Sequence, residues 1–253
     1  MDTEKMNVKE LKEYAGRKVV LVAKVGSVNY NLDDELSDVD YKVYVLPTEE
    51  DLYSGNRFVK SETGEVDYTV HDVRDLEKQL FKSNVNFVEV LFSVELTGHV
   101  PQMLELVQMR EEVARMNLPY LYDACFGMMY NKLKTFDKGT KDTAPLVEKY
   151  GYCTKAFMTT YRGLDFLLRY HGNGFTSFEK AVRYTDEERE FMLSMKHGAF
   201  TREEAKGMVD ELRERLEVAK SDFKSKSLNE ETNQKLHDLL FELVMKNKGG
   251  EQQ

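Results

Sequence analysis

The feature that most limits how this chain can fold is a change of hydrophobic period near Pro101. Before it, β-branched runs and alternating polar and apolar residues recur; after it, apolar residues return every three or four positions with no strand pattern between them. Lys18–Val25 is a continuous β-branched run that stops at Gly26-Ser27, as a buried strand followed by a turn does. Asp38–Val45 alternates and ends before Pro47, which predicts a second strand with Asp38 and Asp40 on one face. Glu65–Val70 is the third strand. Asp72 is placed to cap a helix running to Asn84, Phe87–Val94 is apolar but of either type, and Thr48–Gly64 reads as a polar loop. Beyond Pro101 the pattern predicts helices at 101–116, 118–135, 143–170, 177–183, 186–196, 201–224 and 230–246.

At 253 residues the chain suits one large domain or a catalytic domain with a smaller partner. The expected organisation is a core over 1–100, a helical domain over 101–246 that completes the cleft, and a disordered tail at 247–253. Hydrophobic residues at 41% are enough to bury a core, which excludes disorder for most of the chain. Val19–Val25 and Leu239–Val244 are far shorter than the roughly 20 apolar residues of a membrane span. Met1–Lys12 has acidic residues and no apolar secretory core, so a cytoplasmic location without membrane partners is expected. Cys125 and Cys153 are too few and too far apart for a disulfide scaffold and are expected as free buried thiols. The net charge of −9 argues against binding a long nucleic acid, though it leaves room for a small local basic site.

The chemistry concentrates in Gly26–Lys42. A strand that ends in Gly26-Ser27 and turns into a helix offers backbone N–H groups and a hydroxyl to a phosphate. Asp38 and Asp40 follow a loop later, with hard oxygen donors suited to one or two Mg²⁺ ions that neutralise a triphosphate. The alternative is two carboxylates on a solvent-facing edge strand. A third carboxylate is wanted on an adjacent strand: alternation puts Glu65, Asp67 and Thr69 on one face, so Asp67 is the choice and Glu65 the reserve. Asp67 can then deprotonate an acceptor hydroxyl, with rate coming from positioning and charge stabilisation.

These residues resemble the DNA polymerase beta superfamily of nucleotidyltransferases. More narrowly, Gly26-Ser-x-Asn-Tyr-x-Leu, Ser37-Asp-x-Asp-Tyr, Asp72-Val-Arg-Asp-Leu, Asn84-x-Asn-x-x-Glu89 and Lys149-Tyr-Gly-Tyr-x-x-Lys155 are similar to the RNA-ligase-associated predicted nucleotidyltransferase family. The resemblance spans about residues 17–245. It implies an α+β fold, a small mixed sheet with flanking helices followed by a helical domain, and transfer of a nucleoside monophosphate, AMP first, from an NTP with Mg²⁺ or Mn²⁺. It also implies that Gly26, Ser27 and Tyr30 hold the nucleotide, that Asp38, Asp40 and Asp67 hold metal, and that Lys149, Tyr152, Lys155 and Arg162 join the nucleotide site. Lys155 and Arg162 lie two turns apart on one helix and can both meet phosphate oxygens, or can be a pair of exposed surface charges. The chain departs from the family pattern at Thr159, where a His is common, and at Val43, where a Gly is usual, which bears on the acceptor.

Other polar residues give weaker signals. His71, His99, His171, His197 and His237 have no metal-binding spacing, and neither Cys has a nearby His. Asn84, Asn86 and Glu89 read as support for the sheet, Phe126, Met128 and Met129 as core, and the charges of Arg202–Lys226 as a solvated helix face. Three functions compete. The leading one is a nucleotidyltransferase acting on an RNA end, a small molecule or a protein; the others are a catalytically silent nucleotide-binding or partner-binding module, and a helical interaction protein working through 101–246.

Overall fold

The structure, a computed structural model, describes residues 8–35, 37–64 and 66–246; Glu65, the reserve carboxylate, and the tail 247–253 lie outside them. In chain order the strands are β1 (Glu13–Tyr14), β2 (Arg17–Val25), β3 (Asp40–Val45), β4 (Val59–Glu62), β5 (Asp67–Asp72) and β6 (Leu96–Gly98). The α-helices are α1 (Glu49–Ser54), α2 (Arg74–Phe81), α3 (Val85–Val88), α4 (Pro101–Gln108), α5 (Arg110–Ala114), α6 (Leu118–Leu133), α7 (Ala144–Tyr150), α8 (Thr154–Gly172), α9 (Phe178–Val182), α10 (Asp186–Lys196), α11 (Arg202–Lys224) and α12 (Glu230–Lys246). The protein is mixed α+β. No helix among the described residues is long and apolar enough to cross a membrane.

The chain forms two compact units. Unit 1 holds residues up to Asn29, Asp33–Met116 and those from Leu228 onward; unit 2 holds Tyr30–Leu32 and Asn117–Ser227. This division differs from a cut at residue 100, because α4, α5 and α12 join the sheet's unit, with α12 packing on α2, α4 and α5. A helical period says that a helix has a buried side, not which core it covers.

In unit 1, β2 is the apolar run expected, with Val19 through Ala23 all buried, as suits a strand covered on both faces. It pairs antiparallel with β1, β3 and β6; β5 runs parallel to β3, and β4 closes the far edge against β5. One sheet face carries Tyr41, Val43, Val45 and Val70 into a core shared with Val8, Val19 and Val22. Alternation therefore sends Asp40, Lys42, Tyr44, Asp67, Thr69 and His71 to the other face.

Several expectations are corrected. Thr48–Gly64 is not a plain loop: Thr48 Oγ1 accepts from Asp51 N, and Asp51 Oδ2 accepts from Thr48 N, a capping box that starts α1. β4 follows it, largely exposed, so it carries no hydrophobic alternation to read. The helix 143–170 is two, α7 and α8, separated by a turn at Gly151–Cys153, and 101–116 divides at Met109. Asp72 ends β5, fully buried, and its Oδ1 accepts from the first backbone N–H of α2, that of Arg74, as the expected cap does, and also from the Arg74 guanidinium; the N-cap position itself is Val73. Phe87–Val94 resolves into the end of α3 and a 3-10 helix, Glu89–Phe92. Both cysteines are free and buried.

Unit 2 is built around α8, which packs on α6, α7, α9, α10 and α11. Its buried side carries Phe157, Leu164, Leu167 and Tyr170, which recur at helical spacing. Thr185 with Glu188, and Thr201 with Glu204, form capping boxes that start α10 and α11.

A buried ion pair fastens α1 to the sheet. Arg17 donates to both Asp51 carboxylate oxygens at 2.8 Å, and these bonds, against the opposing effect of burial, hold the carboxyl down to about 2. Because that lies below the unfolded value of about 4, the unfolded chain binds more protons between the two, and the stabilisation is full above pH ~4 and lost as pH falls toward ~2. Thermal melts of the native protein and of Asp51→Asn should differ most near roughly pH 6 and converge as pH falls toward about 3. A gap that does not change with pH would contradict the assignment.

Candidate active site

The turn after β2 is shaped by Gly26, whose φ of +88° lies in the left-handed region. A Cβ there would also meet Asp40 Oδ2 at 3.1 Å, so this position needs glycine twice over, for its backbone and for the carboxylate that approaches it. The 3-10 helix Ser27–Tyr30 follows directly. Asn29, only 3% exposed, braces the turn: its N–H donates to Gly26 O at 3.1 Å, its Nδ2 donates to Lys24 O at 3.2 Å, and its Oδ1 accepts from Val94 N at 3.2 Å. Ser93 Oγ adds a donation to the same Lys24 carbonyl at 2.6 Å.

Asp40 opens β3 and Asp67 opens β5, and the two are direct register partners in the parallel pair. Register partners share a face, so Asp40 and Asp67 both lie on the face opposite Tyr41 and Tyr68, with Asp40 Oδ2 turned toward Gly26. Asp67 Oδ1 accepts from Gly64 N at 3.0 Å. Asp38 lies two residues before β3 and is exposed. Among the described residues no three His, Cys, Asp or Glu side chains already stand in metal-holding geometry, so joining Asp38 and Asp67 to Asp40 requires side-chain movement. The donor chemistry fits a hard divalent ion: carboxylate oxygens at one end of a sheet, and a glycine that leaves room beside one of them.

The same face carries groups that sequence reasoning did not assign to the site. Lys42 donates from Nζ to Asn86 O and sits 4.6 Å from the centre of the Phe87 ring. Burial lowers its pKa, while the Glu89 and Asp40 carboxylates oppose that shift. Tyr44 and His71 stack beyond it at 5.5 Å, and burial, with Lys42 adding to it, lowers His71 to about 4. Asn84 caps α3 by accepting from Asn86 N at 3.0 Å, so the expected supporting role of Asn84 and Asn86 takes a definite form: they hold the carbonyl to which Lys42 is tied. Lys42 was legible at two residues from Asp40 on the same strand face.

The remaining nucleotide-site candidates belong to unit 2. Tyr30–Leu32 are held there: Tyr184 N donates to Tyr30 O at 3.0 Å, and Asn31 Nδ2 donates to Tyr184 O and Asp186 Oδ1 at 3.1 and 3.0 Å. The Arg162 guanidinium lies over the Tyr30 ring at 3.6 Å. Lys149 and Lys155 are exposed, Lys149 lying 4.7 Å from the Tyr150 ring. Tyr152 is fully buried, stacked on Phe136 at 5.1 Å with its hydroxyl donated to Phe200 O at 2.8 Å, which gives it a packing role in this structure.

A family model described as RlaP, RNA repair pathway DNA polymerase beta family, matches residues 2–242. The chain belongs to this family. Its DNA polymerase beta character supports nucleotidyl transfer as the class of reaction. No curated protein matches the chain. In this family member the motif Gly26-Ser-x-Asn-Tyr-x-Leu divides between the units after Asn29, the glycine-serine turn staying with the carboxylates.

Gly26→Ala adds strain from the left-handed backbone, about 1 kcal/mol, together with the close approach to Asp40. The variant should remain folded with a lowered melting temperature, and, on the expectation that Gly26-Ser27 holds the triphosphate, addition of NTP and Mg²⁺ should raise that temperature in the native protein and much less in the variant. A variant stabilised by NTP as strongly as the native protein would contradict the role given to the turn.

Proposed function

We propose that the protein transfers a nucleoside monophosphate, AMP in the first instance, from an NTP to a hydroxyl or phosphate acceptor, the acceptor oxygen bonding to the α-phosphorus as the α–β anhydride bond breaks and pyrophosphate leaves. The observation that carries this reading is the register pairing of Asp40 with Asp67 on the sheet face that meets the Gly26-Ser27 turn. The family description, RNA repair pathway, makes an RNA end the first acceptor to test.

In this reading the backbone N–H groups and the hydroxyl at Gly26-Ser27 bind the triphosphate, as a strand-to-helix turn suits an anion. Asp38, Asp40 and Asp67 hold Mg²⁺ or Mn²⁺, which when bound neutralises phosphate charge and orients the in-line displacement. Asp67 has a second task, taking the proton from the acceptor hydroxyl. In the structure its Oδ1 accepts from Gly64 N, a bond that the carboxyl group exchanges or shares when it turns to metal and acceptor. Lys149, Lys155 and Arg162 are assigned to phosphate oxygens on the family resemblance, and Tyr30 to the nucleotide with Arg162 behind its ring.

Incubation with each α-labelled NTP and Mg²⁺ or Mn²⁺, followed by separation of RNA, protein and metabolite fractions, tests the proposal. Label should enter one fraction and fall at least about a hundredfold in the double variant Asp38→Asn, Asp40→Asn. Equal labelling by the double variant would remove the central role of the aspartates. Absence of label, with NTP and metal still raising the melting temperature, would favour a silent nucleotide-binding module instead.

A further inference from the structure

One end of unit 2 gathers positive charge in a chain whose net charge is −9. Residues 131–155 carry six lysines against three acidic residues. Lys132, Lys134, Lys138 and Lys141 fall within ten residues at the end of α6 and the turn that follows, and all four are exposed. The turn is tightly wound: Gly139 N donates to Thr135 O at 2.8 Å, and Thr140 N to Thr143 Oγ1 at 2.7 Å. Of the two acidic residues in this turn, Asp137 is occupied by Arg202 at 2.7 Å, with Lys206 at 3.9 Å, and Asp142, exposed, follows Lys141.

Three turns are bound together at this end. Cys153 N donates to Phe136 O at 2.7 Å, joining the lysine turn to the start of α8. Tyr152 stacks on Phe136 and donates its hydroxyl to Phe200 O, joining both to the start of α11. Gly198 approaches Tyr150 so closely that a Cβ would stand 2.3 Å from its ring. The turn that carries Lys138 and Lys141 is thus braced rather than loose. Tyr130 lies beside them 66% exposed, with Lys134 Nζ 4.7 Å from its ring centre.

We infer that this surface binds the phosphates of a short single-stranded RNA, and so presents an RNA end as the acceptor; this deepens and rests on the transferase reading. Clustered lysines meet backbone phosphates without reading sequence, and an exposed tyrosine ring among them offers a face on which a base can stack. An acidic remainder of the chain keeps the footprint to a few nucleotides, which reconciles local binding with the expectation against gripping a long nucleic acid. A folded protein partner of acidic surface is the competing occupant. Phosphates are favoured because the charge comes as lysines with an exposed aromatic and no exposed aliphatic cluster beside it among the described residues.

The test is fluorescence anisotropy of a labelled oligoribonucleotide of about twelve nucleotides, with full-length protein, from about 50 to 200 mM salt and without NTP or metal. Native protein and the Asp38→Asn, Asp40→Asn variant should bind alike. The combined variant Lys132→Gln, Lys134→Gln, Lys138→Gln, Lys141→Gln, with an unchanged melting temperature, should bind at least about tenfold more weakly, its salt slope reduced by about 0.7 for each phosphate it no longer neutralises. Equal binding by the lysine variant, no binding by the native protein, a preference for DNA of the same sequence, or displacement by polyglutamate ahead of unlabelled RNA would each overturn the inference. The two readings fail separately. RNA binding without nucleotidyl transfer leaves this surface standing and removes the enzyme, whereas undiminished transfer to RNA by the lysine variant does the reverse.

Discussion

Parallel pairing of β3 with β5 is the constraint on which the candidate site depends, because it brings the first residues of both strands, Asp40 and Asp67, level on one face. Two carboxylates on one face at one end of the sheet are within reach of a shared cation once their side chains move, whereas the same residues out of register by one would face opposite sides of the sheet. The register is fixed by what lies beneath: Tyr41, Val43 and Val45 on one strand and Tyr68 and Val70 on the other share the opposite, apolar face. The acidic arrangement is thus stabilised by burial elsewhere on the same strands, about 25 cal/mol for each Å² of apolar surface removed from water. Gly26 completes it by allowing the Asp40 carboxylate to approach the turn backbone.

The electrostatics of that face extend beyond the aspartates. Lys42, on the same strand face as Asp40, is held by the Asn86 carbonyl and the Phe87 ring, with Glu89 near enough to oppose the loss of its charge. α3 and its Asn84 cap therefore do more than fill space under the sheet. They supply the fixed partners that keep a partly desolvated lysine in place beside the carboxylates. A lysine in such surroundings balances part of the negative charge of that face.

Much of this was legible in the sequence, for identifiable reasons. β2 and β3 could be read because a doubly buried strand is continuously apolar and a half-buried one alternates, and β5 lay within two residues of its expected start. The long helices α6, α8, α11 and α12 announced themselves by period. α1 and β4 did not, since an exposed strand has no pattern and the Thr48–Asp51 capping box was the only signal for the helix. Of the candidate residues, Asp40 and Asp67 followed from alternation, while the buried, packing role of Tyr152 depended on contacts with Phe136 and Phe200 that no local pattern encodes. The assignment of α4, α5 and α12 to the sheet's unit was likewise a matter of long-range packing.

The central claim is that the aspartates form a metal site, and location of the ion tests it most directly. A crystal of the protein grown with Mn²⁺ and a non-hydrolysable ATP analogue should show an anomalous peak with oxygens of Asp38, Asp40 and Asp67 at roughly 2.0–2.2 Å, the range for a small hard divalent ion. The triphosphate should lie against Gly26 and Ser27. Manganese bound elsewhere, with the three carboxylates left apart and the analogue away from the glycine turn, would contradict the account.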